Sequence, residues 1–182
     1  MNDRTAAGEA RALDTELLGI YLNDHLAGAT AGVERVRHLT HAQRSTTLGA
    51  ALRPVAAEID QDRRSLLDIM RSVGVPVRRY KAYAGWLGEK AGRLKTNGRL
   101  VRRSPLSTLL ELELLRLAVE GKASGWQALR RLADVDPRLD AARLDELLDR
   151  AGRQQRTLEQ LRARQTGETF THPGQAPPLR SG

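Results

Sequence analysis

The sequence predicts an all-α fold, a bundle of long helices. Apolar residues recur every three or four positions through most of the 182-residue chain, which is the period of an α-helix. Leu, Arg and Ala dominate, whereas Val and Ile are sparse and aromatic residues make up only 3%. Short turn signals such as Val73-Gly74-Val75-Pro76 and Asn97-Gly98 separate the periodic stretches. Together these observations argue against a large β-sheet.

Composition also limits the compartment and the chemistry. The chain has no Cys, which excludes disulfides, thiolate metal sites and Cys nucleophiles. No apolar run approaches the roughly 18 residues that a membrane-spanning helix needs. The stretch Met1–Thr5 does not open a signal peptide. We therefore expect a cytoplasmic protein with a flexible N-terminus (1–12), one helical domain (13–165) and a disordered C-terminal tail (166–182).

The first predicted helix, about Leu13 to Leu39, carries an unusual face. Its inner positions share one side of the helix and become very small near the middle: Leu18, Leu22, His25, Ala29, Gly32 and Val36, with Gly28 beside them. Glycine inside a helix costs about 1 kcal/mol relative to Ala, so a compensating interaction is expected. One interpretation is close packing against Leu114, Leu117 and Gly121. The other is a pocket for an apolar or amphipathic ligand, bounded by Tyr21, His25, Gly28 and Gly32.

Four more helices are predicted. The second carries an apolar stripe and ends at Gly74, where a left-handed cap and Pro76 stop it. A shorter third helix covers about 78–96. The fourth opens at Ser104-Pro105, and the last, about 139–163, follows a similar signal at Asp136-Pro137. The predicted inner stripes are Leu48, Leu52, Val55, Ile59, Asp62, Leu66, Met70 and Val73 on the second helix; Leu106, Leu110, Glu113, Leu117, Glu120, Ser124 and Ala128 on the fourth; and Leu144, Leu147, Leu148, Ala151, Leu158 and Leu161 on the last.

This layout of two long hairpins joined by a connecting segment resembles the ferritin-like four-helix bundle. The stretches Tyr21–Gly32 and Leu109–Leu114 are similar to those of small uncharacterised actinobacterial members that lack a complete di-iron motif. The resemblance implies four long helices and makes the third, shorter helix a basic crossover. A five-helix up-down bundle, with the third helix as a packed neighbour, is the alternative that the sequence leaves open.

A di-iron site in this fold needs a Glu-x-x-His pair on each of two helices, and that pattern is missing. Where the second helix could supply it, the chain reads Glu58-Ile-Asp-Gln61. A sparser metal site remains an alternative, formed by one His and several carboxylates on the apolar stripes: His25, Glu58, Asp62, Glu113 and Glu120. The competing interpretation is a satisfied polar cluster, in which His25, Asp62 and an Arg such as Arg63 neutralise one another. No cofactor is predicted.

The net charge of +8 is concentrated in one segment. Residues 78–103 hold nine of the 30 basic residues and one of the 22 acidic residues, so the rest of the chain carries 21 of each. We name 78–103 the basic segment, and its candidate contacts to an anionic partner are Arg78, Arg79, Lys81, Arg93, Lys95, Arg99, Arg102 and Arg103. A nucleic-acid backbone, a phospholipid surface or an acidic protein would each suit it, and so would a purely solvated role.

The function expected from the sequence is binding or scaffolding without catalysis, with the basic segment meeting an anionic partner. Self-association into a homo-oligomer is also expected. Two alternatives stay open: a ferritin-like metalloprotein with a degenerate carboxylate and His site, and a carrier of a small apolar ligand that uses the Gly28 and Gly32 face.

Overall fold

The computed structural model describes residues 13–78 and 104–171, and within them it contains four α-helices and no strand. The helices are α1 (Thr15–Ala42), α2 (Thr47–Ser72), α3 (Pro105–Leu132) and α4 (Ala141–Phe170). The all-α prediction is therefore confirmed for these residues. The structure does not describe residues 79–103. The predicted third helix, about 78–96, therefore lies outside the described part of the chain except for its first residue.

Side-chain caps determine where each helix begins. The Asp14 carboxylate accepts from the backbone N–H groups of Glu16 and Leu17, both at 3.0 Å. Thr46 caps α2, Ser104 caps α3 with Pro105 at the first helical position, and Asp140 caps α4. Each such cap typically stabilises a helix by about 1 kcal/mol.

Two predicted boundaries of the last helix are wrong. Asp136-Pro137 does not start α4, because the Asp136 carboxylate instead binds Arg138 at 2.6 Å within the connection. Asp140 takes the capping role, and the helix starts at Ala141. At its other end α4 continues through Phe170, seven residues beyond the predicted helix end at about 163. By contrast, the predicted stop after α2 is confirmed, since Gly74 has a φ of 75°.

The helices form two antiparallel hairpins, α1 with α2 and α3 with α4. α1 also packs along α3, and α2 touches α4. The start of α3 lies beside the end of α1, where Gln43 Nε2 donates to Thr108 Oγ1 at 3.2 Å. α3 is therefore antiparallel to α1 and runs in the same direction as α2. None of the helices within the described ranges combines the length and the apolar character needed to cross a bilayer.

The core follows the predicted stripes on three helices. Leu52, Val55, Leu66 and Met70 of α2 are buried, as are Leu18, Leu22 and Val36 of α1. The α4 stripe is buried as well, apart from Leu148, which is partly buried.

The predicted stripe on α3 is wrong. Leu117 is 60% exposed, and Leu106, Leu110, Glu120 and Ser124 are also exposed. The residues of α3 that face the core are instead Leu109, Leu112, Leu115, Val119, Ala123, Trp126 and Leu129. α3 carries leucines on nearly every side, so periodicity could not select the correct face.

Candidate ligand-binding cavity

A cavity of about 470 Å³ lies between α1, α2 and α3. This volume is within the range of small-molecule sites, about 300–1,000 Å³. Its walls are mostly apolar and include side chains from all three helices: Tyr21, Leu22, Asp24, His25, Gly28, Ala29 and Gly32 from α1; Ile59, Asp62, Arg63 and Leu66 from α2; and Leu115, Ala118, Val119, Gly121, Lys122, Gly125, Trp126 and Leu129 from α3. All four ligand-site residues predicted from the sequence therefore line one cavity.

Three glycines without close neighbours border this space. A Cβ atom added at Gly28, Gly32 or Gly121 would meet no heavy atom within 4 Å. The close packing of this face against Leu114, Leu117 and Gly121 is therefore a wrong prediction. Leu114 and Leu117 are 39% and 60% exposed, and Gly121 borders the same cavity. Of the two interpretations, the structure favours the pocket.

His25 forms part of the α1 wall. Its ring lies edge-on against Tyr21, with centroids 4.5 Å apart and planes at 63°. On the other side it lies against Gly125, where an added Cβ would come within 3.0 Å of the imidazole. Burial lowers the pKa of His25, and the nearby Asp24 only partly opposes this effect. The imidazole is therefore mainly neutral at neutral pH.

A buried charge cluster forms the polar part of the wall, centred on Asp62. Asp62 is 2% exposed, and its Oδ2 accepts from Lys122 Nζ and from Gln154 Nε2, the latter at 3.0 Å. Arg150 Nη2 lies 2.6 Å from Asp62 Oδ1, as an ion pair outside hydrogen-bond geometry. Gln154 Nε2 also donates to Glu58 at 3.0 Å, which adds a second carboxylate. The cluster therefore pairs two acidic residues, Asp62 and Glu58, with two basic residues, Lys122 and Arg150. Its members come from α2, α3 and α4.

The predicted neutralisation of Asp62 is confirmed, but the predicted partners are wrong. Arg63 donates instead to Thr30 Oγ1 at 3.1 Å. The actual partners are Lys122, Arg150 and Gln154, which were not predicted from the sequence. Gln154 carried a detectable signal because it lies three residues after Ala151 and four before Leu158, on the apolar stripe of α4. Burial lowers the pKa of Lys122, while its contact with Asp62 acts in the opposite direction.

Trp126 packs on the same wall and is 3% exposed. Its indole Nε1 is buried and has no hydrogen-bond partner. An unpaired buried donor of this kind costs about 1–3 kcal/mol. The ring therefore contributes apolar contact area to the cavity and stabilises it by packing alone.

The alternative metal site is not assembled by the described residues. Within 13–78 and 104–171, no three His, Asp or Glu side chains are grouped so that they could hold a metal ion. Asp62 and Glu58 belong to the charge cluster described above. Glu120 accepts from Gln155 at 2.7 Å on the surface, and Glu113 lies 3.9 Å from Arg162. The four predicted carboxylate ligands thus contact cations and amides in two separate places, Glu58 and Asp62 in the buried cluster and Glu113 and Glu120 along α3, because the wrong face of α3 was assigned to the core. The fifth, His25, lies against Tyr21 and Gly125.

The basic segment falls almost entirely outside the described residues. Arg78 is its one described member, and its backbone N–H donates to the Asn23 side chain at 2.7 Å. The remaining predicted anionic contacts, from Arg79 to Arg103, stay predictions.

Comparison of the chain with protein-family models, with curated protein sequences and with solved structures finds no match. The function of the candidate site is therefore inferred from the residues and distances described above.

Proposed function

We propose that this protein binds a small, uncharged and mainly apolar molecule in the cavity between α1, α2 and α3. The observation that carries the proposal is an apolar space of about 470 Å³ bordered by glycines whose missing side chains would occupy it. Three such glycines in helix interiors each cost about 1 kcal/mol relative to Ala. Occupation of the space by a ligand would compensate for that cost.

Water is a poor occupant of this cavity. A volume of about 470 Å³ has room for on the order of ten or more water molecules. Each needs two to four polar partners, and most of the wall offers none. An apolar molecule would release that water and cover the parts of Ile59, Leu66 and Val119 that border the cavity, at about 25 cal/mol for each Å² of apolar surface.

The charges of the wall support an uncharged ligand. Two acidic residues, Asp24 and Asp62, and two basic residues, Arg63 and Lys122, line the space, so their formal charges cancel. His25 adds no charge while its lowered pKa keeps it neutral. A charged ligand would therefore lose its hydration without gaining a net opposite charge.

Binding of the uncharged dye N-phenyl-1-naphthylamine tests the proposal. Its fluorescence should rise on mixing with the protein, and Gly28→Leu or Gly32→Leu should weaken binding about tenfold or more because the new side chain fills the cavity. Gly167→Leu is the matched control. It lies in α4, where an added Cβ also meets no heavy atom within 4 Å, but it does not line the cavity.

Equal binding by the wild type and the two cavity variants would place the dye elsewhere and contradict the proposal. Loss of binding in the Gly167→Leu control as well would show an unspecific effect of leucine, and would equally count against it. Circular dichroism of each variant establishes that the helices are intact.

A second candidate function is contact of the basic segment with an anionic partner. It is supported by the confinement of the whole charge excess to 78–103. Phosphate contacts depend strongly on salt, so binding to heparin should weaken as ionic strength rises. The triple change Arg99→Glu, Arg102→Glu and Arg103→Glu should lower the salt concentration that elutes the protein from heparin, and unchanged elution would contradict this function.

We also propose that the bundle belongs to the ferritin-like class. The order of helix directions supports this proposal, because α2 is antiparallel to α1, α3 is parallel to α2, and α4 is antiparallel to α3. Self-association and a cytoplasmic location remain predictions.

A further inference from the structure

Lysine is rare in this chain, and its placement is selective. Only four of the 30 basic residues are lysines, and three of them, Lys81, Lys90 and Lys95, belong to the basic segment. Lys122 is therefore the one lysine in the described residues, where every other Lys or Arg position is arginine. An arginine is always protonated and does not act as a nucleophile, whereas a lysine amine can. The wall of the cavity thus holds the one side-chain primary amine of the described residues, a group that can form a covalent bond to a carbonyl compound.

The surroundings of Lys122 suit such a bond. Its ammonium donates to the Asp62 carboxylate and to Gln154 Oε1, and its side chain is 14% exposed. The rest of the wall beside it is apolar, with Val119, Gly121 and Trp126 on the same helix. A carboxylate in direct contact with the amine can take up its proton, and a largely buried lysine in a mainly apolar pocket is an effective nucleophile toward a carbonyl group.

We propose that Lys122 forms an imine with an aldehyde or ketone group of the molecule held in the cavity. This inference rests on the proposed ligand-binding function and specifies the ligand as a carbonyl compound with an apolar body. The ligand is uncharged before the reaction, which agrees with the balanced charges of the wall.

The reaction balances without an added oxidant or reductant. Lys122 Nζ transfers one proton to Asp62, and the neutral amine then attacks the carbonyl carbon, so that a C–N bond forms. The former carbonyl oxygen takes up protons and leaves as water when its bond to carbon breaks, and the nitrogen lone pair forms the C=N bond. Overall, an ammonium and a carbonyl give a protonated imine and one water. The positive charge stays on nitrogen, so the ion pair with Asp62 is preserved.

Reductive trapping with octanal tests this inference. The folded protein is mixed with dilute octanal and sodium cyanoborohydride, and peptide mass spectrometry locates octyl groups on each of the four lysines. We expect Lys122 to be labelled about tenfold faster than Lys81, Lys90 or Lys95, because binding holds the aldehyde next to the amine. Lys122→Arg keeps the charge that faces Asp62 and should remove the fast reaction. Gly28→Leu keeps Lys122 but fills the cavity and should slow labelling at Lys122 to the rate of the other lysines.

Octan-1-ol distinguishes ligand binding in the cavity from imine formation at Lys122, because it resembles octanal but cannot form an imine. If octan-1-ol displaces the naphthylamine dye while Lys122 is labelled no faster than the other lysines, the cavity binds ligands and the imine inference is overturned. If octan-1-ol and the dye both fail to bind and Lys122 is not preferentially labelled, both proposals are overturned. Fast labelling of Lys122 that octan-1-ol suppresses supports both.

Discussion

The inner face of α1 differs sharply between its two halves. From Val33 to Leu39 it carries branched side chains that are buried to 4% exposure or less, and the core around them is closed. From His25 to Gly32 the same face carries Ala29 and Gly32 instead, and it borders the cavity. The helix itself is continuous through both halves. The difference shows that side-chain volume, without any break in the helix, decides where this bundle is packed and where it has room for a ligand.

The largest expected effect comes from removing a large side chain from the closely packed half of the inner face of α1. Leu39→Ala should destabilise the protein by about 2–5 kcal/mol, because Leu39 is 1% exposed and leaves a cavity among closely packed neighbours. Leu66→Ala should cost less, because Leu66 already faces empty space on one side. Urea unfolding followed by circular dichroism measures both. Equal losses would mean that the cavity wall at Leu66 is packed as closely as the core around Leu39.

A smaller effect is expected from adding one methyl group to the open half. Gly32→Ala should stabilise the protein by about 0.5–1 kcal/mol, because the new Cβ meets nothing within 4 Å and alanine favours the helix. Gly125→Ala should not show this gain, since its Cβ would come within 3.0 Å of the His25 ring.

The variant His25→Ala supplies the control for Gly125. In that background the ring is absent, so Gly125→Ala should stabilise about as much as Gly32→Ala does. If Gly125→Ala still fails to stabilise the protein in the His25→Ala background, a group other than His25 causes the strain. Thermal unfolding of the wild type, the three single variants and the double variant His25→Ala with Gly125→Ala gives the comparison.

The smallest effect is the pH dependence of the cavity wall. Because burial lowers the pKa of His25 from 6.5, the unfolded chain binds a proton at this residue more readily than the folded protein does. The stabilising contribution of a neutral His25 is therefore present above the unfolded pKa and lost as the pH falls below it. The melting temperature of the wild type should drop more between about pH 7.5 and about pH 5.5 than that of His25→Gln. An identical drop would show that His25 is not shielded from water.

Prediction from the sequence succeeded where a helix has one apolar side. On α2, Leu52, Val55, Leu66 and Met70 stand out against many charged residues, so their common face is unambiguous and the structure buries it. On α3, leucines surround the helix, and the predicted inner face, that of Leu110 and Leu117, is exposed. The local pattern contains no information on which of two apolar faces meets the neighbouring helices.

In the candidate site, too, local features could be predicted from the sequence and contacts between distant residues could not. The small face at Gly28 and Gly32 was visible in the sequence because glycine in a helix interior is costly, and the pocket was one of two interpretations of it. The buried Asp62 was also visible. Its partners on α3 and α4 are 60 and more residues away in the chain, and no local pattern pairs residues at such separations.

By itself, the sequence determined the helical class, the capping of α2 and α3, the apolar faces of α1, α2 and α4, and the small residues that the cavity requires. These features depend on interactions within a few residues of one another, through backbone hydrogen bonds and the helical repeat. Only the tertiary structure decided that Gly28, Gly32 and Gly121 border one empty space, and that Lys122 and Arg150 neutralise Asp62. Those outcomes depend on the way the helices pack, because side-chain volumes and charges from distant parts of the chain must be matched together in three dimensions.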